Sequence, residues 1–410
     1  MTTSLAPRSA IVWARRNLFR APTDAFLTIT LGGLALYVVF RLVRFVFVTG
    51  RWEIIEVNLK LLMVGGWDVA YLSRISISLI ALATWGGIIA GRIHARQVRL
   101  GTARSIGLST VGRVADLVRR FGILVVTVLL LLALTTSSGP WLTAGGIVIG
   151  GVAGRFIGGF VGARSYSRPA VVIANMVIAV APVAVYLYLV DAVPLARWEG
   201  FFFNVTSAMA GIVLSFPIGV LLALGRRSKL RLLSAMSTVY IEIVRGSPLF
   251  VLLLLSNVAL GFFVPASIAP SKPVRAIITF AIFTAAYLAE IVRGGLQSVP
   301  RGQEEAAKSL GLSPWSQTTR IVLPQALRNV IPAQIGQFIS LFKDTTLAGL
   351  GLGILEMLAV SQAITQQPDF RGQGLIIETL VFTGFVFWVG SFTMSRESQR
   401  LERTLGVGAR

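Results

Sequence analysis

Apolar residues in this chain come in long runs, not in the one-sided stripe of a water-soluble helix or the alternation of a half-buried strand. Phe121 to Thr136, Ile147 to Val161, Val171 to Val190, Met209 to Leu224, Leu249 to Val264, Ala276 to Ala289 and Leu375 to Val389 are each nearly free of charge. About 20 apolar residues carry a helix across a hydrocarbon core, and a lone span must satisfy its own backbone polar groups, so the runs predict helices. With their flanks, ten spans fit: about 25–48, 72–92, 120–138, 141–162, 169–190, 200–225, 238–265, 273–293, 326–356 and 374–395. The predicted class is an all-α integral membrane protein of about ten transmembrane helices.

The first run, Phe26 to Val48, is long, contains Arg41 and Arg44 and has no small-residue cleavage pattern, so it reads as a retained anchor and not a removed signal. The two arginines, three residues apart near its outer end, are expected to reach back to the interface. Residues 1–195 are rich in glycine, with Gly145, Gly146, Gly150, Gly151, Gly154, Gly158, Gly159 and Gly162 in one stretch. Small residues there predict close helix packing. Pro217, Pro248 and Pro332 are expected to kink or end helices inside the bundle.

Composition agrees: 55% of the 410 residues are hydrophobic and 13% charged, against about a quarter charged in soluble domains. The balance of 38 Lys and Arg over 17 Asp and Glu raises the question of nucleic acid. Its distribution answers it. With the N-terminus inside, 26 of those cations fall in inner segments, five (Arg51, Lys60, Arg197, Lys272 and Arg371) fall in outer ones, and the rest lie in or at the ends of spans. That bias fixes the predicted orientation, both termini cytoplasmic, and favours an even number of spans. No basic domain interleaved with aromatics stands apart, so no nucleic-acid partner is expected. The sequence has no cysteine and one histidine, His94 in a basic loop, which excludes disulfides, thiolate sites and a histidine metal cluster.

Between the eighth and ninth spans, Arg293 to Pro324 parses as two short helices joined by a turn. Glu304 and Glu305 suit a helix start, Lys308 a last turn, and Gly311 a left-handed stop. Ser313 then caps a second helix with Pro314 at its first position, running to Pro324. Ala306, Ala307 and Gly311 leave one surface low in relief. Local physics leaves two readings open: an amphipathic loop on the membrane, or a knob that enters a groove on another protein.

Here the chain resembles a known family. Glu305-Ala306-Ala307, three residues, Gly311, nine residues, then Ile321-x-Leu323-Pro324 reproduces the EAA motif of ABC importer permeases. Tyr240-Ile-Glu242-Ile-Val-Arg245-Gly246-Ser247-Pro248, Ala289-Glu290-Ile-Val-Arg293-Gly294-Gly295 and Gln337 to Leu347 are similar to the polar amino-acid (histidine, glutamine, arginine type) branch. The resemblance covers about residues 196–397. It implies a five-helix type I importer core there, with the coupling hairpin at about 295–325, after an N-terminal extension of five spans over 1–195 and before a basic cytoplasmic tail at 398–410. Five preceding spans make the chain resemble the larger permease subunit of a general L-amino-acid importer. Asn204 and Ser247 depart from the branch, which more often has Thr.

The resemblance implies partners: a second, homologous permease subunit, two cytoplasmic ATPase subunits that grip the hairpins, and an extracytoplasmic amino-acid-binding protein, all on a lipid bilayer. No Gly-rich loop ending in Gly-Lys-Ser/Thr occurs, so ATP hydrolysis is expected from other chains, with no catalytic residue, metal or cofactor in this one. Candidates for the substrate path are Asn204, Tyr287, Glu290, Lys343 and Asp344, because polar groups inside spans are costly and line pathways. Against that role, Glu290 can simply pair with Arg293 three residues on, and Glu242 with Arg245 at the same spacing is the candidate structural pair. Lys343 and Asp344, adjacent and so about 100° apart on a helix, cannot both face one partner. Two other classes are weighed. A secondary transporter would show internal repeats, which are absent. A membrane enzyme needs a cluster of reactive groups, and none is visible. A permease of this type for another small polar solute is the nearer alternative.

Overall fold

The computed structural model describes residues 17–99, 110–135, 138–163, 168–265 and 267–406. Arg8, Arg15, Arg16, Arg104, Arg164 and Arg410, counted among the inner cations, lie outside the described residues. Two compact units divide at Glu53 and Ile54. The second unit takes in residues 54–195 of the expected extension together with the expected core at 196–397.

The first unit holds α1 (Pro22–Arg44), which continues into a π-helical turn at Phe45–Thr49. Not one residue of α1 is buried, as suits a helix whose sides face lipid. Arg41 curls back one turn onto the Tyr37 hydroxyl (Nη1 to Oη 3.2 Å). Trp52 closes the unit, donating to the Val46 carbonyl at 2.9 Å.

The second unit opens with α2 (Glu53–Val64), a short amphipathic helix all but whose first residue belongs to it, and α3 (Leu72–Arg99), a long one. After them come α4 (Thr110–Ala133), kinked at Phe121, α5 (Ser138–Ala163) and α6 (Arg168–Ala192). The remaining elements are α7 (Gly200–Arg226), α8 (Arg231–Gly246), α9 (Leu249–Val258), α10 (Lys272–Ser298), α11 (Arg301–Ser309), α12 (Leu323–Asn329), α13 (Ile331–Asp344), α14 (Leu347–Leu352), α15 (Met357–Ala363) and α16 (Ile376–Leu405). Among the described residues, six helices are long and apolar enough to cross a membrane. Two shorter apolar stretches, Phe121–Ala133 and Val180–Asp191, stand at the third and fifth expected spans.

Two expected spans are not single helices. The seventh is α8 and α9, bent by 102° where Ser247 and Pro248 take extended backbone, since proline cannot donate to the turn before it. The ninth breaks at Val330 before Pro332, at Thr345 and Thr346 between α13 and α14, and again after α14, where Gly353 (φ +65°) turns left-handed. Asp344 therefore stands on a helix that starts at Ile331, not on a straight rod from Arg328.

Glycine builds the seam between α3 and α5. Gly146, Gly150, Gly154, Gly158 and Gly162 recur every four residues, on one face of α5. A Cβ on Gly154 would lie 2.1 Å from the Thr84 carbonyl oxygen, and one on Gly158 2.1 Å from that of Ile88. Gly145 and Gly159, off this face, meet nothing. On its other flank α3 meets α6 by polar contacts. Pro182 has no N–H for the Ile178 carbonyl, and the Trp85 indole donates to it instead at 2.7 Å. Between α7 and α10 small residues recur as well, with a Cβ on Gly219 falling 2.7 Å from Leu288 Cβ.

Candidate functional site

The hairpin forms as its residues dictate. At the end of α11 the Leu312 amide reaches back to the Ala307 carbonyl (3.2 Å) and Gly311 to Lys308 (2.9 Å), with Gly311 at φ +74°. This is a Schellman stop, in which only glycine avoids a Cβ penalty. Ser313 accepts from the Ser316 amide at 3.3 Å, and Pro314 opens the next turn. The second helix does not end at Pro324. A π-helical stretch, Gln317–Val322, widens the coil just before it, and α12 continues through the proline, whose missing N–H falls at the first turn.

The two faces of the hairpin differ. Ala307 and Val322 are buried, and Val322 joins Ala326, Val299, Leu296, Ala289 and Ile241 in one apolar cluster with α8 and α10. Glu305, Ala306 and Gly311 are exposed; Leu310 is 79% and Trp315 71% exposed. Ile321 and Leu323 are half-buried and Pro324 is exposed. Leu310 and Trp315 thus stand exposed beside the small Ala306 and Gly311. Arg227, at the end of α7, holds α11 through Glu304 (3.5 Å).

Its neighbour Arg226 points elsewhere, into a cluster of charges beside the hairpin. Arg226 bridges Glu290 on α10 (3.1 Å) and Glu242 on α8 (2.9 Å). Glu290 also accepts from Arg293, both by Nε (3.0 Å) and by Nη2, and lies 3.8 Å from Arg245 Nη1. Arg245 stacks over the Tyr287 ring at 5.6 Å, and the Tyr287 hydroxyl donates to the Arg245 carbonyl at 3.4 Å. The expected pairing of Glu242 with Arg245 is corrected: Glu242 turns to Arg226, and Arg245 to Glu290 across the helix gap. Spacing along one helix gave no sight of a partner on another. Three guanidinium groups around one carboxylate, with a second carboxylate at the edge, tie α7, α8 and α10 together next to the bend at Ser247-Pro248. In the sequence Arg226 and Arg227 are two adjacent arginines ending an apolar run, a signal of topology that names no partner.

The other candidates stand apart. Asn204 is fully buried near the start of α7, and its amide is consumed there. It donates to Thr345 Oγ1 (3.0 Å) and Glu356 Oε2 (3.2 Å) and accepts from the Met357 amide (3.1 Å). Glu356, 1% exposed, caps α15 through the amides of Leu358 and Ala359, each 2.8 Å away. These bonds give Asn204 a scaffolding geometry, and Glu356, a lone carboxylate in an apolar stretch, went unread in sequence. On α13, Lys343 is exposed and Asp344 half-buried, so the two point apart. Among the described residues no group of His, Asp and Glu is placed to hold a metal.

Comparison with known proteins bears on residues 215–406, which match the family described as "Binding-protein-dependent transport system inner membrane component". The chain is 38% identical over 221 residues to the inner membrane amino-acid ABC transporter permease protein YhdY of Escherichia coli, covering 54% of this chain and 59% of that one. It is 39% identical over 223 residues to the glutamate/glutamine/aspartate/asparagine transport system permease protein BztC of Rhodobacter capsulatus, covering 52% and 51%. These matches span little more than half the length of either relative. A shorter relative, the probable glutamine ABC transporter permease protein GlnP of Bacillus subtilis, is 33% identical over 205 residues, 50% of this chain and 91% of that one.

Proposed function

The chain belongs to the family of binding-protein-dependent transport system inner membrane components, and is a multi-pass inner-membrane permease subunit; from that premise we propose that it forms half of the path of an ATP-driven amino-acid importer. In this reading two cytoplasmic ATPase subunits supply the energy, a homologous permease completes the path, and an extracytoplasmic binding protein delivers the substrate. Both termini, the hairpin and the arginine cluster are cytoplasmic. Residues 1–195 act as the extension and 196–397 as the importer core.

The hairpin carries the proposal. Its exposed rim of Ala306, Leu310, Gly311 and Trp315 is the surface an ATPase groove takes, and its buried side is fused to α8 and α10. Movement of a docked ATPase reaches the spans by two adjacent arginines: Arg227 follows Glu304 of the hairpin, and Arg226 shifts between Glu290 and Glu242. Glu290 then serves as a lock at the inner mouth, while Asp344 is the carboxylate left to meet substrate. Amino-acid substrates follow from the relatives' chemistry.

The test is Gly311→Asp. A Cβ at Gly311 meets nothing within 4 Å in this chain, so the cost inside the permease is the left-handed backbone, on the order of 1 kcal/mol. Membrane abundance is expected to stay near wild type, while co-purification of the ATPase and uptake of labelled amino acid fall together. Normal docking with normal uptake would remove the hairpin's role. Hydrolysis of ATP by the purified chain alone would end the subunit reading.

A further inference from the structure

Helix α2 lies between the first two spans, far in sequence from the importer core, yet side chains on it and on the turn after it bind it to that core. Ile54, Ile55, Asn58, Leu59 and Leu62 are buried on one face, while Glu56, Val57 and Lys60 face outward. Asn58 is only 6% exposed; its carbonyl oxygen accepts from Gln367 Nε2 at 2.9 Å, across 309 residues of sequence. The turn after α2 is hooked a second time. Gly66 donates to Glu199 Oε2 (3.0 Å), and the Trp67 indole to the Arg197 carbonyl (3.2 Å), with its ring against Trp198 and Phe202. Gly65 and Gly200, both at positive φ, let the two turns nest: a Cβ on Gly65 would meet Glu199 Cβ at 2.2 Å.

Both anchor points lie on segments of the proposed outer mouth. Residues 197–200 lead into α7, and the Gly200 amide is bonded to the Leu355 carbonyl (2.7 Å). Gln367 begins the turn that ends at Leu375, where Pro368, Asp369, Arg371, Gly372 and Gln373 are exposed and Phe370 is buried beneath them. A buried amide that holds a turn lowers the number of conformations that turn must lose when a protein lands on it. We propose that α2 is a strut: Asn58 is a positioning residue that holds the outer turn 367–375 in the form a delivering protein recognises, while Trp67 fixes α2 itself against residues 197–202. The inference rests on the importer reading for its consequence, though not for its geometry.

The experiment uses the full complex, assembled in lipid with its binding protein, and the variants Asn58→Ala, Gln367→Ala and the double variant. Losing one buried hydrogen bond is expected to raise the binding-protein concentration for half-maximal uptake about fivefold, with the maximal rate nearly unchanged. If Asn58 and Gln367 act as one unit, the double variant also shifts about fivefold instead of roughly 25-fold. In the purified permease, hydrogen exchange at 364–373 is expected to rise in Asn58→Ala while the hairpin at 301–309 stays as in wild type. An unchanged exchange pattern at 364–373 overturns the strut. A loss of maximal rate with no shift in half-saturation overturns its role in recognition. A wild-type complex that imports no amino acid sinks the functional reading alone, because exchange in the purified chain still decides the strut.

Discussion

Between α3 and α5 the seam is a glycine every four residues from Gly146 to Gly162, with Gly154 and Gly158 pressed on backbone carbonyls; between α7 and α10 glycine and alanine fill the middle, and a knot of charges closes one end. Near the start of α7 Asn204 bonds both Thr345 and Glu356, tying α7 to the end of α13 and the start of α15, and at the far end of α7 three arginines share Glu290. The first seam has one arrangement, because a contact of small atoms with backbone has no second well to slide into. The second has exchangeable partners at its charged end, since Arg226 reaches both Glu242 and Glu290 and Glu290 is shared by three arginines. A fixed frame and a seam able to switch are thereby built from the same small residues, and the difference lies in the charges.

The largest expected effect breaks the charged seam. Glu290→Ala leaves Arg226, Arg245 and Arg293 facing one another without the carboxylate, and hydrogen bonds to charged groups are worth about 1.5–3 kcal/mol each before solvent screening reduces them. Uptake of every amino acid is expected to collapse together with a lower melting temperature in detergent, and Glu290→Gln is expected to fall between. If Glu290→Ala alters cationic and anionic substrates unequally, the carboxylate faces the path and the lock reading fails.

Next comes the fixed seam. In Gly158→Ala the new methyl has no room beside Ile88, and overpacking of this kind costs about 1–3 kcal/mol. Thermal stability is expected to drop while ATPase co-purification per folded molecule stays constant. Uncoupled hydrolysis in this variant would show that the frame moves after all. Gly159→Ala, which meets nothing, is the control.

How much of this was legible in the sequence follows the same divide. Apolar runs state their own length, so the straight helices and the glycine stripe could be read directly, as could the Gly311 stop and the Ser313 cap, which depend only on neighbours. Broken spans were harder: Pro248 and Pro332 announced trouble but not a bend of 102° or a second turn at Gly353. The charge cluster could not be read, because Arg226 meets Glu290 across 64 residues and nothing in local spacing favours that partner over Arg293 or Arg245. Asn204 misled for the same reason. Its polarity inside a span was visible, but the three groups that consume its amide were not.

Two smaller effects sharpen the comparison. Asp344→Asn is expected to change the ratio of cationic to anionic amino-acid uptake without loss of stability, since a charge along the path weighs substrates by sign; a uniform loss would assign Asp344 to packing. Arg227→Ala removes a long, half-exposed pair to Glu304, worth at most about 1 kcal/mol. The melting temperature should hardly move. Transport per ATP hydrolysed should fall, and an unaltered ratio would take Arg227 out of the coupling route.

The widened turn at Gln317–Val322 gives the hairpin an unusual tolerance. A π-helical stretch is in effect an α-helix with one residue too many, so it is the place in the coupling element where chain length and helical phase are decoupled. Deleting a single residue there, such as Thr318, can be absorbed by reversion to ordinary α-helix without tearing the backbone ladder. The price is phase: Pro314 and Trp315 would rotate by about 100° around the axis relative to Ala326 and the apolar cluster it anchors. A one-residue deletion would then yield a well-folded permease whose knob faces the wrong way, separating the hairpin's shape from its aim.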